Sequence, residues 1–330
     1  MQENSGSDSP GVELSLQELD SRKIHFDGEG FDLFLIMLKN IILTLLTLGV
    51  YSFWAKTEMR KFTLRHFQFQ GHRLDYTGTG IELFFGFLKV LGFYIAFIVT
   101  TGVLSLISPF LSGAVGLVFG VLFPFLWLPL IIYFASRYRL SRTTYRGINF
   151  GMNGDIKGFI SEFAINTFLM AITLGIYIPW GQNNISAAFI NRVKYGNKSF
   201  LYTGNGSDVF TEYLLALFLI PLTLGLYFPW FIVRLRKYRA QHTYFEGVNL
   251  NFTATGFQLL KLILLAIAIP IFTLGLGTPW LIVYALKFWA KSFQFNGDIN
   301  MDDVVAEASK GDGFADQMGD FLNLDIDIGI

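Results

Sequence analysis

Leu222-Thr223-Leu224-Gly225-Leu226-Tyr227-Phe228-Pro229-Trp230 closes a long apolar run and opens a polar, basic segment, and the chain does this four times. The other copies are Thr47-Leu48-Gly49…Trp54, Thr173-Leu174-Gly175…Trp180 and Thr273-Leu274-Gly275…Trp280, each with its Trp five residues after the Gly. Pro179, Pro229 and Pro279 precede the Trp in three copies, and Phe53 does so in the first. Tyr and Trp favour the headgroup level of a bilayer. Thr can bond a carbonyl one turn back, Gly permits a left-handed turn or close packing, and Pro removes a backbone donor. Two readings follow for Thr47, Gly49, Thr173, Gly175, Thr223, Gly225, Thr273 and Gly275 with their tryptophans and prolines. One is a helix-to-helix corner at a membrane interface. The other is a broken-helix site whose freed carbonyls hold an ion or solute.

Outward from the corners, spacing stays constant. Gly30, Gly206 and Gly256 each lie 19 residues before the motif glycine, and Gly71, Gly196, Gly247 and Gly297 lie 16 or 17 after the Trp. Alternating runs on either side of these later glycines, such as Phe67–Gln70 and His72–Tyr76, predict β-hairpins. One unit used several times is the natural reading. The expected fold is a mainly α integral membrane protein of five degenerate repeats, each a helical hairpin plus a short β-hairpin, with the hairpins able to pair into one small sheet. Boundaries fall near 24–71, 72–147, 148–196, 197–247 and 248–297, between a disordered acidic tail (1–23) and a second acidic tail (298–330). In that second tail, 302–309 has a helical pattern and 322–328 alternates. The second unit departs from the rest. About fifty mostly apolar residues run from Leu83 to Phe134, broken at Ser108-Pro109, and Pro129-Leu130 stand where Pro-Trp is due.

The composition agrees with a membrane setting. The chain is 52% hydrophobic and only 15% charged, with a mean hydropathy of +0.47, against about 25% charged in soluble domains. Its zero net charge conceals a division: residues 22–297 hold 24 bases and 11 acids, and all of the remaining acids lie in the tails. A basic apolar core between acidic ends suits anionic lipid headgroups as partners. Nucleic acid is disfavoured, because the bases border hydrocarbon-length runs. No cysteine is present, so disulfides and thiolate chemistry are excluded.

Two topologies compete. Single crossings in four units and a double crossing in the second give six spans, with the poorer basic clusters outside. Re-entrant helical hairpins, shallow in four units and deep in the second, instead bring every β-hairpin to one side. The position of Pro129, and the marginal stability of isolated two-stranded hairpins, favour the re-entrant form.

The motif, the basic helix after it and the Phe-x-Phe-x-Gly hairpins resemble the YjgN-like family of bacterial inner-membrane proteins. The strongest matches are Ile172–Trp180 and Leu222–Trp230, and the resemblance covers about residues 24–297. It implies a multi-pass protein of the bacterial inner membrane, and it brings no activity or catalytic residue with it.

Polar groups inside apolar runs are the remaining candidates. Lys39, Lys89 and Lys261 either snorkel to the interface or line a path. Asn40 and Asn166 occupy equivalent places and suit interhelical hydrogen bonds. Asp32, Glu82 and Asp208 follow their leading glycines by two residues and suit helix starts. Glu82, Glu162 and Glu212 are also candidates for a proton relay. No P-loop, GxSxG, dinucleotide or metal-ligand spacing occurs, so the expectation is no enzyme, no cofactor and no metal. A membrane-organising or lipid- and protein-interaction role leads, with a transporter or channel for a small solute or ion as the alternative. Cysteines introduced singly as Gln70→Cys, Arg146→Cys, Asn197→Cys, Glu246→Cys and Gly297→Cys should all label from one side of the membrane. Labelling of positions 197 and 297 from the opposite side to 70 would restore six spans.

Overall fold

In the computed structural model, residues 22–152 and 155–306 are described. Strand β1 (Ile24–Phe26) leads into helices α1 (Gly30–Leu46) and α2 (Ser52–Arg65), then β2 (Phe67–Phe69) and β3 (His72–Tyr76). A longer pair follows: α3 (Gly80–Ile107), then α4 (Pro109–Leu122), which continues through a π turn (Phe123–Trp127) into α5 (Leu128–Ser141). Next come β4 (Thr143–Tyr145), β5 (Ile148–Met152), α6 (Ile156–Ile172), α7 (Ile178–Ile190), β6 (Val193–Tyr195) and β7 (Lys198–Tyr202). The order closes with α8 (Gly206–Leu222), α9 (Phe228–Gln241), β8 (Thr243–Phe245), β9 (Val248–Phe252), α10 (Gly256–Phe272), α11 (Thr278–Ser292) and β10 (Phe293–Phe295).

The strands overturn the expected fold class. The chain does not form five small helical-hairpin and β-hairpin units around one small sheet. All ten strands join in sequence order into one large antiparallel sheet. Its ends meet: Lys23 bridges to Gln294, and the Phe295 N–H donates to the Arg22 carbonyl at 3.0 Å. The sheet is therefore all but closed into a barrel. The physical reason is edge satisfaction. Strands of three and five residues hold few hydrogen bonds, and an unpaired edge leaves half of their backbone groups without a protein partner. Pairing between hairpins, such as Leu74 with Tyr145 and Phe200 with Phe245, supplies the missing partners.

Two-residue turns set the hairpin register. Gln70-Gly71, Arg146-Gly147 and Glu246-Gly247 have φ of 45° to 49° at the first position and 76° to 77° at the second. That is the left-handed pair which matches strand twist. Inside the ring, Phe69, Tyr145, Tyr195 and Phe245 are buried and form a core with Phe295. Neighbouring rings around it lie 5.2 to 6.3 Å apart. The Tyr145 hydroxyl donates to the Phe69 carbonyl and the Tyr195 hydroxyl to the Tyr145 carbonyl, both at 2.8 Å. Burial pushes the Tyr145 phenol up to about 12, so it stays a donor across the physiological range. Residues 298–306 lie across this core with Ile299 and Val304 buried and Asp302 paired to Arg146. The described part of the second acidic tail therefore packs on the ring, with a turn at Asp302 where the sequence suggests helix. Positions 307–330, including the alternating 322–328, lie outside the described residues, as do positions 1–21 of the first tail.

The corners explain the recurring motif. Thr47 ends α1, and its hydroxyl donates to the Leu43 carbonyl at 2.7 Å and accepts from the Tyr51 N–H at 2.9 Å. Thr173, Thr223 and Thr273 make the same two bonds. Leu48 and Gly49 then take φ of 50° and 94°, and Gly49 N–H reaches back to the Thr44 carbonyl at 2.8 Å. A leucine in this conformation costs roughly 1–2 kcal/mol, yet Leu48, Leu174, Leu224 and Leu274 all adopt it. Pro179, Pro229 and Pro279 fall in the first turn of the returning helix, where a missing N–H is harmless.

Each tryptophan then locks its helix pair to the next. A Cβ at Gly80 would sit 2.6 Å from Trp54, and one at Gly256 would sit 2.5 Å from the Trp230 ring. Gly206 meets Trp180 in the same way, and Gly30 meets Trp280, which closes the helices into a circle as well. The offset from Trp to Gly is 26 residues (54 to 80, 180 to 206, 230 to 256). From Leu130 the same step reaches Ile156. The large and small partners are exchanged together at the one junction that lacks Trp, and Ile156 is buried there with Leu130 packed on the same cluster. Gly256→Ala alone should destabilise by about 1–3 kcal/mol through overpacking, read as a lower Tm in detergent. Trp230→Leu combined with Gly256→Ala should not recover that loss, because leucine keeps a Cγ where the Trp230 Cγ stands 2.5 Å from the added Cβ.

Candidate functional site

Between the helices, above the sheet, lies a cavity of about 980 Å³. Helices α1 and α2 supply one wall and α5 the other, with Phe189 and Leu286 contributed by α7 and α11. Asn40 from α1 and Ser136 from α5 line it, 5% and 2% exposed. Neither atom of the Asn40 amide, nor the Ser136 hydroxyl, has a hydrogen-bond partner. Buried polar groups are nearly always paired, and leaving one unpaired costs about 1–3 kcal/mol. Two such groups on one chamber make it the candidate site.

The chamber's charge is one-sided. Lys56, Arg60 and Arg139 line it, and no carboxylate does among the described residues. Arg60 Nη1 lies 3.4 Å from the hydroxyl of Tyr76, whose ring is buried at the sheet end of the chamber. The rest of the wall is largely apolar, with Met37, Ile41 and Leu45 toward the corner of the first helix pair. Chambers of this size, apolar with a few convergent polar groups, are the usual form of a small-molecule site.

The other polar candidates sit elsewhere, and most are engaged. Lys39 Nζ donates to Glu58 on α2 at 2.8 Å, with half of its side chain exposed. Lys89 on α3 also has an interaction partner, and Lys261 is exposed on α10. Asn166 is buried, but it donates to the Glu162 carbonyl at 2.7 Å and accepts from Asn184 at 2.8 Å. It lines a second cavity of about 570 Å³ with Asp155, Glu162 and Arg192. The three carboxylates with relay potential each meet an arginine in or just after the returning helix: Glu82–Arg142 at 2.9 Å, Glu162–Arg192 at 3.0 Å and Glu212–Arg234 at 2.7 Å. Glu82 also completes a capping box with Thr79 at the start of α3. The motif residues lie at the corners, where Thr hydroxyls and Gly N–H groups occupy the final carbonyls of the first helix. Among the described residues no cluster of metal-ligating side chains occurs.

Of the chamber's polar residues, sequence reasoning singles out Asn40 and overlooks Arg60, Ser136 and Arg139 as a site. A usable signal was the turn glycine. Arg60 and Ser136 each lie 11 residues before it (Gly71, Gly147), and Thr63 and Arg139 each lie 8 before it. Equal offsets place them on the same inward face.

Short helix pairs rising from an almost closed sheet, with two helices long and apolar enough to cross a bilayer (Gly80–Ile107 and Pro109–Ser141), define a helical membrane protein. The profile of the family described as "Bacterial protein of unknown function (DUF898)" matches residues 21–222 and 199–271, and the chain belongs to this family. It is also similar to "Inner membrane protein YjgN" of Escherichia coli strain K12, 31% identical over 165 residues, which are 49% of this chain and 39% of that protein. The protein of the same name from Salmonella typhimurium is 29% identical over 167 residues, 50% of this chain and 40% of the relative. These matches thus span about two fifths of the curated relatives. No solved structure matches.

Asn40→Leu and Ser136→Ala should each raise stability by about 1 kcal/mol, seen as a higher Tm of the purified protein. A fall in Tm for both would mean that their polar atoms are satisfied and the chamber is ordinary packing.

Proposed function

We propose that this chain is a transport protein of the bacterial inner membrane, and that the chamber between α1, α2 and α5 holds a small solute or ion. The observation that carries the reading is the pair of buried, unpartnered polar side chains, Asn40 and Ser136, facing one basic cavity. The inner-membrane location rests on the likeness to the two relatives of that name.

In this reading the short helix pairs are re-entrant and internally repeated. Every pair leaves the sheet and returns to it, so a single crossing would separate strands that are hydrogen-bonded neighbours. Helices of 17 residues rise about 25 Å, short of the roughly 30 Å hydrocarbon core. The longer helices α3 and α4–α5 reach through it. The corner leucines, 92–94% exposed, are then the deepest points of the shallow pairs and lie in lipid.

Those same leucines favour a second reading, a membrane-organising protein that wedges four apolar tips into one leaflet and binds anionic lipid. Reconstitution separates the two. Liposomes containing the protein should take up small anionic solutes faster than protein-free liposomes, and Asn40→Leu should slow uptake by about ten-fold with the fold intact by Tm. Uptake at the protein-free rate, together with vesicle deformation that Leu48→Ser and Leu224→Ser abolish, would replace transport with organisation.

A further inference from the structure

We propose that the second cavity, between α6 and α7, is a binding site for a small organic cation: a primary ammonium carried on an aromatic body. The cavity lies apart from the chamber, and its assignment does not rest on what the chamber holds.

The internal repeat shows why this cavity exists. Seven and eight residues after the motif tryptophan, the returning helices carry a base and an aromatic: Lys61-Phe62, Lys237-Tyr238 and Lys287-Phe288, and, counted from Leu130, Arg137-Tyr138. The same two positions in α7 are Ala187 and Ala188, and both line the cavity. Where the aromatic is tyrosine, its hydroxyl donates at 2.7 Å to an acid three residues after the cap of the first helix, Tyr138 to Glu82 and Tyr238 to Asp208. In α6 that position, three after the cap Asp155, is Gly158. Base, ring and acid are thus all missing from one helix pair, and a cavity of about 570 Å³ stands there. Pockets for small molecules run to roughly 300–1,000 Å³, and one inorganic cation needs far less room.

Charge sets the sign of the occupant. Two carboxylates, Asp155 and Glu162, and one guanidinium, Arg192, line the cavity. Arg192 Nε donates to the Asp155 carbonyl at 3.3 Å, and Nη1 donates to Glu162 at 3.0 Å and to the Ala188 carbonyl at 2.7 Å. Its Nη2 donates to Asp155 at 3.2 Å and to Glu162 at 3.1 Å. These bonds engage all of the donors that a guanidinium has. An anion would therefore meet two carboxylates and no further N–H of Arg192. The carboxylates keep acceptor capacity, because their two oxygens together offer about four lone pairs. Their side chains are 65% and 48% exposed, so a ligand reaches them without passing through the helix packing.

A primary ammonium brings three donors and one positive charge, which offsets the one carboxylate in excess in the lining. At the other end of the cavity Asn184 donates to Asn166 at 2.8 Å and to the Tyr177 hydroxyl at 3.2 Å, which closes the polar network there. The body of the ligand lies along Ala187 and Ala188, where the other units carry base and ring.

The test titrates phenethylamine, charged at neutral pH, into the full chain in phosphatidylcholine nanodiscs by isothermal calorimetry, with the heat from empty nanodiscs subtracted. Saturable binding is expected, and phenethyl alcohol, the neutral compound of similar shape, should bind about ten-fold more weakly. Glu162→Gln should weaken phenethylamine about ten-fold as well. Ala187→Lys/Ala188→Tyr, which installs the pair that α9 carries, should abolish binding with Tm unchanged or raised, so that loss of the site is separated from loss of the fold. If that variant does not fold, the comparison of amine with alcohol decides by itself. A cavity that only holds water gives no saturable heat, and that result overturns the proposal. So does equal binding of amine and alcohol, or binding that persists in Ala187→Lys/Ala188→Tyr. Full displacement of phenethylamine by an equal concentration of potassium overturns it too and assigns the site to an inorganic cation.

Discussion

Pairing on both edges is the constraint under which this molecule exists. Strands of three residues carry too few hydrogen bonds to persist at the edge of a sheet; here β2 to β9 are paired on both sides, and the bridge from Lys23 to Gln294 draws the two end strands together. The helices inherit the same geometry. Because every helix pair starts and ends on adjacent strands, closing the sheet sets the pairs in a circle, and Trp280 against Gly30 completes it. The chamber is the space such a circle leaves at its centre. Its contents follow from which residues the returning helices present inward.

The corner shows how much chemistry a short motif can hold. Thr closes the last carbonyl of the first helix and caps the return, Leu and Gly turn the chain left-handed, and Pro starts the second helix. Trp fills the notch of the next pair's glycine. These groups are engaged within the corner or against the next pair, whereas the polar atoms of Asn40 and Ser136 are buried without a hydrogen-bond partner. The buried Asn166, by comparison, is hydrogen-bonded through both ends of its amide.

Much of the local structure is legible in the residues. The corners, the hairpin turns at Gly71, Gly147 and Gly247, the capping role of Glu82 and the long helices around Ser108-Pro109 are all written in short-range patterns. That hairpins can share a sheet is legible as well, but which strands pair and how far the sheet extends are not, because Leu74 and Tyr145 lie far apart in sequence and nothing in either strand names its partner. A large, nearly closed sheet therefore looks like a small one from the sequence alone. The chamber is similarly obscured. Lys39 draws attention as a charge in an apolar run, yet it is paired to Glu58, while Ser136 draws none and stands unpartnered. Only the common offset from the turn glycines places Arg60 and Ser136 on one inward face.

Closure of the sheet also has a consequence for biosynthesis. The seam joins Arg22 and Lys23 to Gln294 and Phe295, so β1 waits for β10. Until residue 295 has left the ribosome, β1 presents a bare edge, and Gly30 lacks the tryptophan that fits against it. The growing chain is thus an open arc whose free ends expose unpaired backbone, a state prone to join a second chain edge to edge. Completion is a single event at one seam, and it removes both liabilities at once.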